Sequence, residues 1–477
     1  MSSTGMSGTD KTETDFVSTG TGRTKPPNIL FILADDLGWA DLGCYGSRAI
    51  KTPNLDRLAA EGVRFTHGYS GSSWCSLTRL ALYTGRHPGR LEAGLEEPLR
   101  TRRDGNGIPA DHPTLSSLLK ESGYDTAMFG KWHCGWLPWY SPLRIGFDKF
   151  FGNLDGALDY FEHIGTLGEP DLYEGETPVE MTGYYTDIIS EKTAEYVAAD
   201  RDQPFYVQLN YTAPHWPWEG RGDAEVGSQI RRDYEDGTVP FPLLHKDAGS
   251  LAKYGELVEA MDDGIGIVLD ALDAAGNADN TIIVFASDNG GERWSDNWPF
   301  VGEKGDLTEG GIRVPFIVRW PEAVAGDQYT AEPSVTMDWT ATLLDAAGVA
   351  PHPDWPLDGV SLLPWLVDGA EYPEHDLFWR ISSQGAVRRG RFKYVKDLRD
   401  RAFLGNWPRH YGDYELLYDV TVDGREAANI ARHHPEVVAE LSEVWKAYDA
   451  ELIPYPPDHP GVPRHASKGQ PAVSEAD

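Results

Sequence analysis

Short apolar runs alternate with helical patterns along the chain, and this alternation is the feature that most restricts its fold class. The runs NILFILA, PFYVQLN, TIIVFAS and VPFIVRW have the length and composition of buried strands. Between them lie amphipathic segments such as TPNLDRLAAEG and a long apolar-periodic stretch from about Leu251 to Ala275. Strands buried on both faces show continuous apolar runs, so we predict an α/β fold with a large, mainly parallel sheet flanked by helices.

The pattern changes after about residue 375, where shorter alternating strands, GAVRRGRFKYVKD and YELLYDVTVDG, precede a terminal amphipathic helix. We therefore predict a main domain over residues 26–375 and a smaller C-terminal α+β subdomain over residues 376–460. Residues 1–25 and 461–477 are rich in small and polar residues, and we predict that they form a disordered leader and a disordered tail.

Two helix starts can be read from local signals. Thr52 precedes Pro53, which predicts an N-cap followed by proline at the first helical position, with Gly62 as the stop. The segment HPTLSSLLKESG predicts a second helix that begins at its proline and ends before Gly123.

The charge balance restricts the partners of the chain. The 477 residues include 42 Lys and Arg against 75 Asp and Glu, a formal net charge of −33. A field of this sign repels nucleic acid, anionic membranes and long polysulfated chains, so we predict that none of them is a partner. A small anion in a local cationic pocket remains compatible with this charge.

The cysteine count and the N-terminus indicate the compartment. The three cysteines, Cys44, Cys75 and Cys134, do not describe a disulfide framework. The N-terminal segment lacks the apolar core of a secretory signal, and no apolar run approaches membrane-spanning length. We predict a cytoplasmic protein, with export by other means as the alternative.

Polar residues follow several of the predicted strands at the point where each strand ends. Taken singly, each cluster is as typical of a turn or of the surface as of a site. In open α/β sheets, however, ligands bind beyond the carboxyl ends of the strands. The residues that would share this edge are Asp35, Asp36, Lys131, His133, His215, Asp288 and Asn289.

The oxygen-rich part of this set predicts a metal site. Asp35, Asp36, Asp288 and Asn289 offer only carboxylate and amide oxygens, which favour Ca²⁺ or Mg²⁺ over zinc. Three carboxylates held together without a cation would repel one another and have raised pKa values. The remaining residues would surround the metal with donors suited to a tetrahedral oxyanion, and they are Arg79, Lys131, Lys304, His133 and His215.

These residues lie in segments that resemble a known family over about residues 27 to 455. The chain is similar to the type I sulfatases of the alkaline-phosphatase superfamily, and the resemblance implies an alkaline-phosphatase-like fold. The matching segments, in order, are PNILFILADDLGWADLGCYG, TPNLDRLAAEGVRFT, CSLTRLALYTGRHP, GKWHCG, APHWP, SDNGG, GEKGDLTEGGIRVPFIVRWP and LYDVTVDGREAANIA.

The resemblance implies a special fate for Cys75. In the family, the cysteine of a Cys-x-Pro-x-Arg motif is oxidised to Cα-formylglycine by a formylglycine-generating enzyme. Cys75 and Arg79 occupy the cysteine and arginine positions, whereas Leu77 stands where the family has proline or sometimes alanine. Because proline would pre-set an extended backbone for that enzyme, the Leu77 departure leaves the efficiency of maturation open.

The resemblance also implies a role for each candidate residue. Residue 75, as formylglycine, and the four oxygen-donor residues Asp35, Asp36, Asp288 and Asn289 would bind Ca²⁺, with Mg²⁺ as the alternative. Lys131 and Lys304 would neutralise sulfate charge, and Arg79 would hold the aldehyde hydrate. His133 would remove a proton to expel sulfate, and His215 or Lys304 would protonate the leaving alcohol.

The leaving group is predicted only by class. Tryptophans near the matching segments suit sugar or aryl rings, although we expect about half of them to pack in the core. They are Trp74, Trp132, Trp136, Trp139, Trp216, Trp218, Trp294 and Trp298. We therefore expect a sulfatase acting on a small aryl or sugar sulfate. The alternatives are a phosphonate monoester or phosphodiester hydrolase using the same site, and a catalytically dead anion-binding homologue.

Overall fold

This computed structural model describes residues 25–237, 239, 241–243, 249–382, 384–396 and 415–456. The predicted disordered tail, and all but the last residue of the predicted leader, lie outside the described residues. No helix in the described ranges is long and apolar enough to cross a membrane.

The strands and helices of the described residues follow the predicted alternation. The strands are β1 (Asn28–Ala34), β2 (Val63–Phe65), β3 (Gly68–Tyr69), β4 (Asp125–Gly130), β5 (Lys149–Gly152), β6 (Tyr173–Glu174), β7 (Thr177–Pro178), β8 (Phe205–Asn210), β9 (Thr281–Ser287), β10 (Phe316–Arg319), β11 (Gln328–Thr330), β12 (Ser334–Val335), β13 (Leu377–Ile381), β14 (Gln384–Arg389), β15 (Phe392–Lys396) and β16 (Glu415–Asp419). The α-helices are α1 (Pro53–Ala60), α2 (Cys75–Thr84), α3 (Leu115–Glu121), α4 (Tyr185–Ala198), α5 (Ala224–Asp236), α6 (Leu251–Ala274), α7 (Glu309–Ile312), α8 (Thr336–Ala346), α9 (Leu363–Asp368) and α10 (Pro435–Ala450).

The main sheet has ten strands in the order β11-β2-β10-β9-β1-β8-β4-β5-β6-β7. Its centre is parallel, because β1 pairs in parallel with both β8 and β9, and β4 pairs in parallel with β8 and β5. The predicted strand VPFIVRW is present as β10, which runs antiparallel to both of its neighbours. The sheet is therefore mainly parallel, as predicted.

Side chains of the central strands point alternately into two hydrophobic layers. In β1, Phe31 and Leu33 join a core cluster with residues of α2, α3, α8 and α9. Leu30 and Ile32 point to the opposite face, where they pack with residues of α1, α4 and α6. This alternation follows from the two-residue period of a strand, and it explains why the apolar run of β1 is continuous.

The register of the sheet brings the carboxyl ends of three strands to one place. Leu33 of β1 pairs with Asn210 of β8, and Ala34 pairs with Ser287 of β9. Gly130, the last residue of β4, also pairs with Asn210. The residues that follow β1, β4 and β9 are therefore neighbours at one edge.

The C-terminal strands form a separate four-stranded antiparallel sheet in the order β13-β14-β15-β16. One face of this sheet packs on α10, where Val387 and Leu417 contact Trp445 in a common cluster. The other face places Trp379 in a cluster with Leu77 of α2, so this sheet lies behind the helix that begins at Cys75. The boundary that we place at residues 375–376 stays a prediction.

The structure confirms the first predicted helix start, Thr52 followed by Pro53, and corrects the second. Thr52 lies at the N-cap of α1, but its hydroxyl accepts from the Gly43 N–H at 2.8 Å and donates to Asp56 instead of capping the helix. The helix predicted to begin at proline begins at Leu115, because Thr114 and Ser117 form a reciprocal capping box. In each case the hydrogen bonds of a threonine hydroxyl determine how the helix N-terminus is capped.

A buried ionic network joins the C-terminal sheet to the main domain. Lys393 of β15 lies 2.9 Å from a carboxylate oxygen of Glu309 and 2.9 Å from one of Glu426, and its side chain is fully buried. Glu309 begins α7, and its N–H donates to Glu426 at 2.7 Å. The lysine therefore lies between two buried carboxylates, and Arg313 is a second cationic partner of Glu309 at 3.1 Å.

We expect Lys393→Ala to lower the free energy of unfolding by about 3–5 kcal/mol, because it leaves two buried carboxylates without their shared cation. Chemical denaturation of the two proteins measures this difference. Lys446→Ala is the matched control, since Lys446 pairs with Glu443 on the surface. Equal effects of the two substitutions would show that the Lys393 network does not hold the two units together.

Candidate active site

Residues that follow β1 and β9 form the floor of the site. Asp36 has a φ of 63°, in the left-handed region, and its N–H donates to Asp288 Oδ1 at 3.3 Å. Asn289 Nδ2 donates to Asp36 Oδ1 at 2.7 Å. Asp35 is fully buried beside them. The two polar pairs that we predicted at separate strand ends are therefore in contact.

The first turn of α2 brings Cys75 and Arg79 to the same place. Cys75 is the first residue of the helix and Arg79 follows one turn later on the same face. Arg79 Nε and Nη2 donate to Asp288 Oδ2 at 3.1 and 2.7 Å, and Nη1 donates to the Lys131 carbonyl at 3.1 Å. Arg79 thus links α2 to the ends of β9 and β4.

The turn after β4 supplies Lys131 and His133. It begins at Gly130, whose φ is +100°, and a Cβ at that position would lie 1.9 Å from the Asn210 carbonyl oxygen. Only glycine fits this close approach of two strands. The turn directs Lys131 Nζ to Asp35, with which it forms a buried ion pair.

His133 has a defined tautomer in this arrangement. Its Nε2 lies 3.0 Å from the Leu99 carbonyl oxygen, and its Nδ1 lies 3.3 Å from Cys75 Sγ. A carbonyl oxygen only accepts, so Nε2 carries the proton and Nδ1 is the acceptor that faces residue 75. Burial, reinforced by the charge of Lys131, holds the pKa of His133 well below its usual range, which keeps the ring neutral.

His215 and Lys304 complete the site above Asp36. Lys304 Nζ donates to Asp36 Oδ2 at 2.7 Å, and His215 Nε2 lies 3.5 Å from the same oxygen. His215 Nδ1 donates to the Trp216 carbonyl at 2.7 Å, so Nε2 is the ring atom that faces the site. Burial, reinforced by the charge of Lys304, holds the pKa of His215 well below its usual range.

The carboxylates have opposed electrostatic environments. Burial opposes the ionisation of Asp36, but the summed attraction of the surrounding cationic groups, of which Lys304 contributes most, outweighs it and lowers the pKa of Asp36 to about 2. Burial and the negative charge of Asp35 raise the pKa of Asp288 to about 7, although Arg79 acts in the opposite direction. Burial also raises the pKa of the Cys75 thiol.

The donor set fits a divalent cation. One ligand atom from each of Asp35, Cys75 and Asp288 lies within 4.8 Å of the others, and the same is true of Asp35, Asp36 and His215. Asp35 Oδ1 and Asn289 Oδ1 are buried and have no hydrogen-bond partner among the described residues. A hard cation satisfies such oxygens and relieves the repulsion between the carboxylates.

All ten predicted site residues lie in this one region, but the contacts of some of them differ from those that we predicted. Arg79 and Lys131 are fully buried below the cavity. Arg79 forms an ion pair with Asp288 and Lys131 with Asp35, so the direct partners of these two cations are carboxylates. Leu77 is also fully buried in a cluster with Trp379, which shows that the side chain at the motif's proline position packs against the C-terminal sheet.

Two residues that hold the site were not predicted. Asn210 Nδ2 donates to the Lys131 carbonyl and to Tyr83 Oη, both at 2.8 Å, and so fixes the turn after β4. The sequence feature that could have identified Asn210 is its position as a polar residue at the end of the apolar run PFYVQLN. The Leu99 carbonyl, which fixes His133, has no sequence signal because any residue supplies a backbone oxygen.

A cavity of about 800 Å³ opens above these residues. Cys75, His133, His215 and Lys304 lie at its base, and its apolar walls are formed by Trp74, Leu167, Trp216, Trp218 and Phe241. Three of the eight highlighted tryptophans therefore line the cavity, whereas Trp132 and Trp136 belong to the hydrophobic core. The remaining charged side chains of the lining are Arg100, Asp155, Glu292, Arg293 and Glu303.

Comparisons with known proteins agree with this geometry. The family model described as Sulfatase matches residues 27–349. The N-acetylgalactosamine-6-sulfatase of Homo sapiens is 33% identical over 447 residues, covering 89% of this chain and 80% of the relative. The steryl-sulfatase of Mus musculus is 30% identical and covers 92% of this chain and 84% of the relative.

A solved structure confirms the predicted fold class. The crystal structure of Ps i-CgsB in complex with k-i-k-neocarrahexaose matches with a TM-score of 0.76 and 28% identity, covering 90% of this chain and 94% of that chain. The chain therefore belongs to the Sulfatase family, within the alkaline-phosphatase superfamily, and is a sulfuric ester hydrolase.

Proposed function

We propose that the protein hydrolyses the sulfate ester of a small sugar or aryl alcohol, with formylglycine at position 75 and Ca²⁺ held by the neighbouring oxygens. The observation that carries this proposal is the position of Cys75. Its Sγ lies 3.3 Å from His133 Nδ1 and within 4.8 Å of carboxylate oxygens of Asp35 and Asp288, at the base of an open cavity. A nucleophile, a proton acceptor and a metal-binding set therefore meet at one point.

The residues that would hold the cation are Asp35, Asp36, Asp288, Asn289 and residue 75. When bound, the dication supplies positive charge that favours an ionised hydroxyl and polarises a sulfate oxygen. The hydrated aldehyde supplies two hydroxyls, one that attacks sulfur and a second whose deprotonation expels sulfate and restores the aldehyde.

His133 is positioned to take the proton in the second step. Its Nδ1 is an acceptor because the Leu99 carbonyl holds the ring proton on Nε2. Its low pKa keeps the ring neutral before the step. This role requires the aldehyde at residue 75, because a thiol has one proton and no second hydroxyl.

The cations of the site balance the negative charge of the sulfate group. Lys304 lies at the base of the cavity, and Lys131 lies below it beside Asp35. Arg79 holds Asp288 in place, and through α2 it also fixes residue 75 relative to the carboxylates. Because these groups are buried, their charges act on sulfate with little screening by water.

The aromatic walls of the cavity are evidence for a leaving group that contains a ring. Trp216 packs against His215 with 4.3 Å between ring centroids, which places an aromatic face beside the proposed proton donor. The relatives carry the names of sugar and steryl sulfatases, and the matching crystal structure holds a carrahexaose. We propose a sugar or aryl sulfate for this chain on that basis. The cytoplasmic location and the part of a formylglycine-generating enzyme in maturation stay proposals.

Rates on two anions test the proposed function. We expect a higher kcat/KM on 4-nitrophenyl sulfate than on bis(4-nitrophenyl) phosphate, because both leaving groups are the same and only the transferred group differs. Faster hydrolysis of the phosphate would assign the alternative phosphodiesterase function. A protein that carries the aldehyde and hydrolyses neither these two compounds nor a sugar sulfate would be the dead homologue.

Removal of one ligand oxygen tests the metal site without measuring activity. We expect Ca²⁺ added after chelation to raise the melting temperature of the wild type, because it binds only the folded state. Asn289→Ala should weaken the Ca²⁺ affinity at least about tenfold, as loss of even an outer ligand partner does.

Asn280→Ala is the control for this experiment, since Asn280 precedes β9 whereas Asn289 follows it at the other end. It should keep the full Ca²⁺ response. Loss of the response in both variants, or in neither, would place the cation elsewhere.

Leaving groups of different acidity test the role of His215. We expect His215→Ala to lose much more rate on an alkyl or sugar sulfate than on a nitrophenyl sulfate, because a poor leaving group depends more on a proton donor. The negative charge of a bound sulfate raises the pKa of His215 and so favours the protonated ring.

Lys304→Ala measured on the same series separates the two candidate donors. A loss that depends on the leaving group in this variant, and not in His215→Ala, would make Lys304 the acid. Equal losses of His215→Ala on all substrates would leave His215 as a sulfate-binding residue.

A further inference from the structure

We infer that Arg100 selects substrates that carry a second anionic group, a carboxylate or a further sulfate, on the sugar unit next to the hydrolysed ester. This inference rests on the proposed sulfatase function and deepens it. The supporting observations are the position of Arg100 between two cavities, its unpaired guanidinium and the fixed backbone from which it projects.

Arg100 lies where the active-site cavity meets a second cleft. The second cleft has a volume of about 740 Å³ and lies between the main domain and the C-terminal unit, with Ser382 and Pro454 in its lining. Pro98 and Arg100 line both spaces. A substrate longer than one ring that leaves the active-site cavity on this side therefore passes over Pro98 and Arg100.

The backbone at Arg100 is held rigidly beside the chemistry. The preceding residue, Leu99, is buried, and its carbonyl oxygen contacts His133 Nε2. The Leu99 N–H donates to Ser76 Oγ in the first turn of α2 at 2.9 Å. Since Ser76 follows Cys75 directly, the position of Arg100 relative to the nucleophile is fixed by two short connections.

The guanidinium of Arg100 has no hydrogen bond or ion pair with any residue in the described ranges, and the side chain is exposed. The nearby acidic residues have other partners. Glu96 accepts from the N–H groups of Arg100 and Thr101, each at 2.8 Å, and from Asn106 Nδ2. Glu97 accepts from Ser382 and Tyr455.

Two arginines that follow Arg100 closely in the sequence already have partners, and Arg293 of the active-site lining lies over the Trp218 ring. Arg102 contacts Asp155 at 3.1 Å and Glu169 at 2.7 Å. Arg103 lines only the second cleft, where it donates to the Asp104 carbonyl at 3.3 Å. An unpaired arginine at the mouth of an anion-hydrolysing cavity, in a chain of net charge −33, is suited to bind an oxyanion through its fork of N–H donors.

Three sulfated disaccharides test this inference, identical at the sulfated unit and carrying a neutral hexose, a uronate or a second sulfated hexose as the adjoining unit. We expect the wild type to prefer the two anionic substrates. Arg100→Ala should lower kcat/KM about tenfold on the anionic substrates, mainly through KM, and by less than about twofold on the neutral one. Arg100→Lys should recover part of the loss, because the charge remains without the planar fork.

Arg103→Ala is the matched control and should leave all three rates nearly unchanged. Equal losses of Arg100→Ala on all substrates, no loss on any, or a selective loss in Arg293→Ala instead would overturn the assignment to Arg100. In each of these cases hydrolysis of the neutral disaccharide by the wild type would still uphold the proposed function. A wild type that hydrolyses no sulfate ester would overturn both.

Discussion

Opposite charges buried together at the carboxyl edge of the main sheet are the interaction on which this protein depends. Three carboxylates face three cations there, and all six are buried: Asp35, Asp36, Asp288, Arg79, Lys131 and Lys304. Removing such groups from water costs free energy, which only close pairing and further hydrogen bonds offset. The register of β1, β8, β9 and β4 supplies that pairing, so the sheet and the site are one structure.

The same charges help to set the protonation states of the two histidines in the site. Two histidines are kept neutral by burial and by nearby cations, and a backbone carbonyl fixes which ring nitrogen of each faces the site. His133 therefore faces Cys75 as an acceptor, whereas His215 faces the opening beside an aromatic wall. A cavity with a charged base and several aromatic residues in its walls suits an ester whose anionic end is small and whose alcohol is a ring.

Much of this arrangement could be predicted from the sequence, because strand ends and apolar runs are local signals. Asp35 and Asp288 follow continuous apolar runs, so their convergence follows from parallel pairing alone. What could not be predicted depends on pairing between distant segments. The Leu99 carbonyl holds His133, and Leu77 packs against Trp379. Neither of these contacts can be inferred from the residue types on either side of it in the sequence.

Conversion of residue 75 is the central claim, since the proposed chemistry needs a hydroxyl nucleophile beside His133, Asp35 and Asp288. The most direct measurement is mass spectrometry of the peptide that contains residue 75, after an aldehyde-capturing resin has divided the purified protein into bound and unbound fractions. The captured fraction should carry formylglycine and, once released, all of the sulfatase activity, while the unbound fraction should carry Cys75 as the thiol and be inactive. Activity in a fraction whose residue 75 is entirely thiol would contradict the claim.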